Sequence, residues 1–143
     1  MTQIYAAYLG KFVKNNENVR NALDEVLVDA TIFDWQKMWI IAALMQADTA
    51  SPAALKGAIS LLNDANCHDA LRAVVAIFIS RFGGHDRRKA LFDVYTTVSE
   101  YVQLAIYFSS RSWPAVERKN ARDSWGGHSQ LHKLMSKGLA SLS

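Results

Sequence analysis

The sequence predicts an all-α fold in which antiparallel helical hairpins stack side by side. Apolar residues recur at the spacing of a helix face along most of the 143 residues. The two prolines, Pro52 and Pro114, lie where helices would start, because Ser51 and Ser112 shortly before them can cap a first turn. With only 7 glycines and 2 prolines in the chain, turn-forming residues are too few for an all-β fold.

Start and stop signals divide the chain into segments of normal helix length. Two glycine pairs, Gly83-Gly84 and Gly126-Gly127, follow apolar-periodic stretches and predict helix C-termini. We expect about nine helices in one domain that covers residues 1–143. Their predicted ranges are 2–14, 17–29, 33–47, 52–65, 68–82, 86–94, 98–110, 113–124 and 129–141.

Three of these helices, the third, fifth and seventh, are apolar on most sides, which predicts a central position for each. Asp34, Asp69 and Glu100 begin them, and these residues are 35 and 31 positions apart. A period in the low thirties, built from a buried helix and a more amphipathic partner, is typical of a solenoid of helical hairpins. A plain helical bundle is the alternative arrangement.

The composition excludes several classes of protein. Apolar residues make up 50% and charged residues 20% of the chain, which argues against intrinsic disorder. No apolar run reaches the roughly 18 residues that span a bilayer, so no membrane partner is expected. The single Cys67 cannot form an intrachain disulfide, and no secretory signal is visible at the N-terminus, so we expect a cytoplasmic protein. The oligomeric state is left open.

The net charge of +3 conceals an asymmetry between the two halves of the chain. Residues 1–71 carry 5 Lys or Arg against 8 Asp or Glu, a net charge of −3. Residues 72–143 carry 11 against 5, a net charge of +6. Stacked hairpins would bring basic residues that are distant in sequence onto one surface, and such a surface attracts phosphates.

Eight residues of the basic half are predicted to contact RNA or DNA. The cationic side chains would bind phosphates, and two tryptophans that flank the eighth helix would stack on unpaired bases. Arg118 and Arg122 are four residues apart and therefore share a helix face. The predicted contact residues are Arg87, Arg88, Arg111, Arg118, Lys119, Arg122, Trp113 and Trp125. The alternative interpretation is a solvated helical surface with ordinary core tryptophans.

Several stretches also resemble known families. The stretch 68–77, HDALRAVVAI, resembles a HEAT-type helical repeat, which implies a right-handed solenoid. Stretches within about residues 33–135 resemble the C-terminal helical region of some bacterial reverse transcriptases linked to phage defence. These stretches are 34–38 leading to 43–47, 101–110, and 117–119 running on to 124–126.

The second resemblance implies an antiviral accessory domain that contacts nucleic acid, a partner protein or a polymerase domain. The chain has no Tyr-x-Asp-Asp box and no two adjacent aspartates, so we do not expect it to polymerise nucleotides. The predicted function is therefore a non-enzymatic binding scaffold with no cofactor. The alternative is a protein–protein interaction adaptor that does not bind nucleic acid.

Enzymatic interpretations have weaker support in the residues. Helical-repeat DNA glycosylases resemble this chain in their stacked hairpins, and Asp123, Trp125 and Arg122 would be the local candidates, but adjacent helical residues point in different directions. His128 and His132 could share a helix face, yet zinc usually takes at least three protein ligands. Cys67 lies near a predicted helix start, where a thiolate is stabilised, but no catalytic partner can be identified. We therefore expect neither a catalytic nor a metal site.

Overall fold

The computed structural model describes residues 16–125 and, beyond them, Lys137. Over this part of the chain it contains seven α-helices and no strand. They are α1 (Glu17–Leu27), α2 (Asp34–Leu44), α3 (Pro52–Asn63), α4 (Asp69–Phe82), α5 (Gly84–Val94), α6 (Glu100–Ser109) and α7 (Ala115–Trp125). Two 3₁₀ turns, Tyr95–Thr97 and Ser110–Ser112, precede α6 and α7. No helix in the described ranges is long and apolar enough to cross a membrane.

The all-α prediction is confirmed. Each of the seven helices predicted between residues 17 and 124 corresponds to an observed helix. The first three end earlier than predicted: α1 stops at Leu27 rather than at 29, α2 at Leu44 rather than at 47, and α3 at Asn63 rather than at 65. The predicted helices 2–14 and 129–141, like the pair Gly126-Gly127, lie outside the described residues.

The start of α3 follows the predicted capping chemistry, but the start of α7 does not, because the hydroxyl of Ser112 donates to the carbonyl of Ser109 and the helix begins at Ala115, after Pro114. Ser51 precedes Pro52, and its hydroxyl accepts a hydrogen bond from the backbone N–H of Ala54 at 3.0 Å. The same hydroxyl donates to the buried carboxylate of Asp24, which joins the start of α3 to α1. At the start of α4, His68 Nδ1 accepts from the N–H of Ala70 at 3.1 Å. Local side chains thus satisfy N–H groups that a helix leaves without partners.

The sharp joint between α4 and α5 depends on the two predicted glycines. A Cβ on Gly83 would lie 2.6 Å from the carbonyl oxygen of Ile79 and 2.8 Å from the Cβ of Arg87. Gly84 has a φ of +69°, in the left-handed region that side chains disfavour. The predicted C-terminus of α4 is therefore correct, but Gly84 also begins the next helix, two residues before the predicted start at 86.

Helix α4 lies at the centre of the described structure. It packs against α2, α3, α5 and α6. Its apolar side chains form one continuous core with those of its neighbours. Fully buried members of that core include Leu27, Ile41, Leu62, Leu71, Val75, Phe78, Ile79, Leu91 and Ile106. A central helix with neighbours on several sides occurs in bundles as well as in stacked hairpins, so the solenoid remains a prediction.

Helix α6 is less central than its composition predicts. Val102, Ile106 and Tyr107 are buried, but Tyr101 and Phe108 are 57% and 46% exposed. These exposed rings lie beside Ile77 of α4, which is also partly exposed, and together they line an apolar groove of about 460 Å³. The expectation of a helix buried on most sides is thus wrong for α6, because one of its apolar faces has no covering element among the described residues.

Candidate nucleic-acid interface

Both predicted stacking tryptophans lie in the core. Trp113 is 4% exposed and Trp125 is 1% exposed. The ring of Trp125 stacks on that of Tyr95 with centroids 4.3 Å apart, and Trp113 meets it edge-on at 5.9 Å. The indole N–H of Trp113 also donates to the hydroxyl of Ser80. In this arrangement neither indole can stack on a base, so both are removed from the candidate interface.

The burial of the tryptophans explains how α7 is held in place. Trp113 precedes the helix in an extended conformation, and Trp125 ends it. The two rings therefore attach both ends of α7 to the core. Between them only Ala121 is buried, so the remaining side chains of α7 face outward or lie at its edges.

Arg88 is also removed from the interface, because an acidic side chain neutralises it. Its Nε and Nη2 donate to the two carboxylate oxygens of Glu117, each at 2.7 Å. The two side chains are only 13% and 15% exposed. The bidentate hydrogen bond raises the pKa of Arg88 and lowers the pKa of Glu117. The pair connects α5 to α7 and leaves little free charge for a phosphate.

Three of the predicted arginines come together beside the start of α7. Arg111 lies in the 3₁₀ turn that precedes the helix, and Arg118 and Arg122 lie one turn apart on its surface. Arg118 Nη1 donates to the backbone carbonyl of Arg111 at 3.1 Å. Arg122 Nε donates to the hydroxyl of Ser110 at 3.3 Å. We call these three residues the arginine cluster.

The guanidinium of Arg122 is the most enclosed of the three. Its central carbon lies 4.6 Å from the ring centroid of Tyr107, a cation–π contact. Its Nη2 is buried and has no hydrogen-bond partner. Burial lowers the pKa of Arg122, and the nearby charges of Arg118 and Arg111 lower it further. The cluster is therefore a concentration of positive charge with an unsatisfied donor.

No carboxylate offsets this charge in the described part of the chain. The ion pairs found there involve Glu117, which binds Arg88 and lies 3.5 Å from His85. The groups that act on the pKa of Arg122 are Tyr107 and the two other arginines, with no Asp or Glu among them. Repulsion among three like charges is unfavourable, and an anion bound between them would relieve it.

The two remaining predicted contacts lie outside the cluster. Lys119 is exposed on α7, and Arg87 is half-buried on α5. Neither forms an ion pair within the described residues. The charges of Lys119 and Arg87 can add to the positive potential around the arginine cluster. The structure shows no hydrogen bond between these two side chains and the cluster.

The structure gives no support to the enzymatic alternatives. Trp125 is buried, so it cannot share an open catalytic face with Arg122 and Asp123. Burial raises the pKa of Cys67 to about 11, and Asp34 and Asp64 contribute to the rise, so the thiol stays protonated at neutral pH. No group of three or more potential metal ligands occurs in the described ranges. His128 and His132 lie outside them.

Sequence reasoning missed two features of the surface. The first is the apolar groove between α4 and α6, which was missed because a helix that is apolar on most sides was expected to be buried on most sides. A polar cavity around Lys37 in the N-terminal half was also missed, because its lining comes from two loops and two helices. A lysine within the apolar stretch of α2 was the one available signal for that cavity.

Comparison with known proteins adds no family assignment. No protein-family model, curated protein or solved structure matches this chain. The similarity of its helices to HEAT repeats and to phage-defence reverse transcriptases therefore remains a prediction from residue patterns.

Proposed function

We propose that this protein is a non-enzymatic binding scaffold that holds RNA or DNA by its phosphates. The observation that carries the proposal is the arginine cluster, in which the charges of Arg111 and Arg118 act on Arg122, no carboxylate acts on it, and Arg122 Nη2 has no hydrogen-bond partner. Planar guanidinium groups suit phosphate oxygens because they donate in pairs. Contacts of this kind position a nucleic acid without reading its sequence.

The buried tryptophans narrow the proposal. Without exposed rings for base stacking, the contact is electrostatic and depends on backbone charge. Three phosphate contacts correspond to a slope of log K against log salt of about −2 to −3. We expect affinity to fall by roughly twentyfold to fiftyfold between 50 and 200 mM salt, with little preference for sequence.

The test is a gel-shift or fluorescence-anisotropy titration with single-stranded and double-stranded RNA and DNA at those two salt concentrations. The variant Arg118→Glu with Arg122→Glu should abolish binding. Among single variants, Arg111→Glu should weaken it, while Lys56→Glu, which makes the same charge change at an exposed site on α3, should not. Equal losses in the last two variants would show that only total charge matters and would refute a localised site.

A second candidate function is a protein–protein interaction adaptor. The observation that favours it is the apolar groove between α4 and α6, where Ile77, Tyr101 and Phe108 are exposed. Binding through this groove would survive reversal of the arginine charges and would be lost in Tyr101→Glu. The variant Arg118→Glu with Arg122→Glu and the variant Tyr101→Glu therefore distinguish the two functions.

The proposal extends to a role as an accessory domain of a reverse-transcriptase-like defence system. Its support is the residue pattern of stretches such as 101–110 together with the arginine cluster. The decisive observation is the genomic sequence upstream of Met1. A polymerase palm encoded there would support the accessory role, and unrelated neighbouring genes would count against it.

A further inference from the structure

A polar cavity lies in the acidic N-terminal half of the chain, away in sequence from the arginine cluster. The loop between α1 and α2, the start of α2, the end of α3 and the loop after α3 enclose it. Its volume is about 480 Å³, within the roughly 300–1,000 Å³ range of small-molecule sites. Leu27, Val28, Ile32 and Leu61 provide an apolar wall, and Asp34, Lys37 and Asp64 bring charge to it.

Lys37 is the unusual member of this lining. Its residue is 6% exposed, yet its ammonium has no hydrogen bond or ion pair within the described residues. Its nitrogen is not among the buried polar atoms without a partner, so the stem of the side chain is enclosed while the ammonium keeps access to solvent. A ligand acceptor in the cavity would give this ammonium a hydrogen-bond partner that the described residues do not provide.

Two carboxylates share the cavity and retain free acceptor capacity. One oxygen of Asp34 accepts from the backbone N–H of His68, and one oxygen of Asp64 accepts from that of Asn66, both at 2.9 Å. A carboxylate has two oxygens and about four acceptor positions, so each can take a further donor. With one ammonium and two carboxylates, the charged lining has a net charge of −1.

These charges select among ligand classes. A simple anion would satisfy Lys37 but would be repelled by Asp34 and Asp64, and a simple cation would leave the lysine without a partner. A zwitterion satisfies both signs. We propose that the cavity binds a free α-amino acid with an aliphatic side chain, whose carboxylate accepts from Lys37 and whose ammonium donates to one of the two aspartates.

The apolar wall explains the preference for an aliphatic side chain. Val28 is 65% exposed and Leu61 is partly buried in the lining, so a hydrocarbon group placed against them covers apolar surface that now meets water. This site shares no residue with the arginine cluster. Its failure would leave the nucleic-acid proposal intact, and the reverse also holds.

The test uses three compounds of nearly the same shape: leucine, 4-methylpentanoate, which lacks the amino group, and 3-methylbutylamine, which lacks the carboxylate. Binding to the whole protein is measured by calorimetry and by saturation-transfer NMR at millimolar ligand. Leucine should bind at least about tenfold more tightly than either analogue, because each analogue loses one charge-assisted hydrogen-bonded contact. Equal affinity for 4-methylpentanoate, or no binding of any compound, would overturn the proposal.

Protein variants locate the site. Lys37→Met should lower leucine affinity by about tenfold or more, while Lys56→Met, at an exposed position on α3, should leave it unchanged. Ser60 lines the cavity and is exposed, so Ser60→Phe should fill the space and block binding even if Lys37→Met unfolds. Circular dichroism checks folding of each variant. Unchanged leucine affinity in a folded Lys37→Met or Ser60→Phe protein would refute the assigned site.

Discussion

The ion pair between α5 and α7 provides the sharpest test of how the candidate interface is held. Glu117→Gln keeps the shape of the side chain but removes its charge, so the guanidinium of Arg88 loses its anionic partner. Exposed ion pairs contribute roughly 0–1 kcal/mol, and breaking a buried pair costs about 3–5 kcal/mol. Because these side chains are 13% and 15% exposed and bonded through two 2.7 Å contacts, we expect a loss of about 2 kcal/mol.

The measurement is urea denaturation followed by tryptophan fluorescence at neutral pH. Glu25→Gln provides the control, since Glu25 is exposed on α1 and its neutralisation should change the free energy of unfolding by less than about 0.5 kcal/mol. The pKa of Glu117 is lowered in the folded state, chiefly by its hydrogen bond to Arg88. Its stabilisation is therefore present above the ordinary carboxyl pKa of 4.5 and is lost as pH falls through the lower folded value.

Wild type and Glu117→Gln should consequently converge in stability in strong acid. If the free energies of unfolding of wild type and Glu117→Gln differ by less than about 0.5 kcal/mol at neutral pH, the ion pair contributes no more than an exposed one. That result would refute its role in holding α7 in place. A difference that persists unchanged at low pH would show that the contacts of the new amide group, rather than the lost charge, cause the effect.

Three further predictions address packing and reactivity. Trp125→Ala should destabilise the fold by about 3–5 kcal/mol in urea denaturation, whereas Trp35→Ala, at a ring 48% exposed, should cost clearly less; similar losses would contradict the buried aromatic cluster. Gly83→Ala should lower the free energy of unfolding by more than about 1 kcal/mol because the new Cβ would lie 2.6 Å from the oxygen of Ile79, and a neutral effect would mean that the joint relaxes freely. Cys67, with a pKa of about 11 against an ordinary 9.0, should react with iodoacetamide at neutral pH roughly a hundredfold more slowly than an unhindered thiol; fast alkylation of the folded protein would contradict its buried position.

Local signals in the sequence predicted most of the secondary structure. Ser51 and Pro52 begin α3 as expected, because capping and proline geometry act within one helical turn. Gly83 ends α4 for an equally local reason, the contact its missing side chain would make with Ile79. The spacing of Arg118 and Arg122 likewise placed both on one side of α7, and the position of Arg111 just before that helix predicted that it would join them.

The errors arose where a residue's partner is distant in sequence. Arg88 looks like a free cation until α7 brings Glu117, 29 residues away, against it. Trp113 looks available for stacking until Ser80, 33 residues earlier, accepts its indole N–H. Periodicity describes which faces are apolar, but it does not say which partner neutralises a charge or covers a ring.

The stack of Tyr95 on Trp125 gives the protein a built-in optical reporter. Two closely stacked rings in a fixed chiral environment should produce a near-ultraviolet circular dichroism signal. Because Trp125 ends α7, this signal reports whether α7 is packed against the core. Trp35, which is 48% exposed on α2, should emit at longer wavelength than the enclosed Trp125. The near-ultraviolet circular dichroism and the fluorescence of the unmodified chain can therefore be followed together. They distinguish detachment of α7 from unfolding of the other helices without an added label.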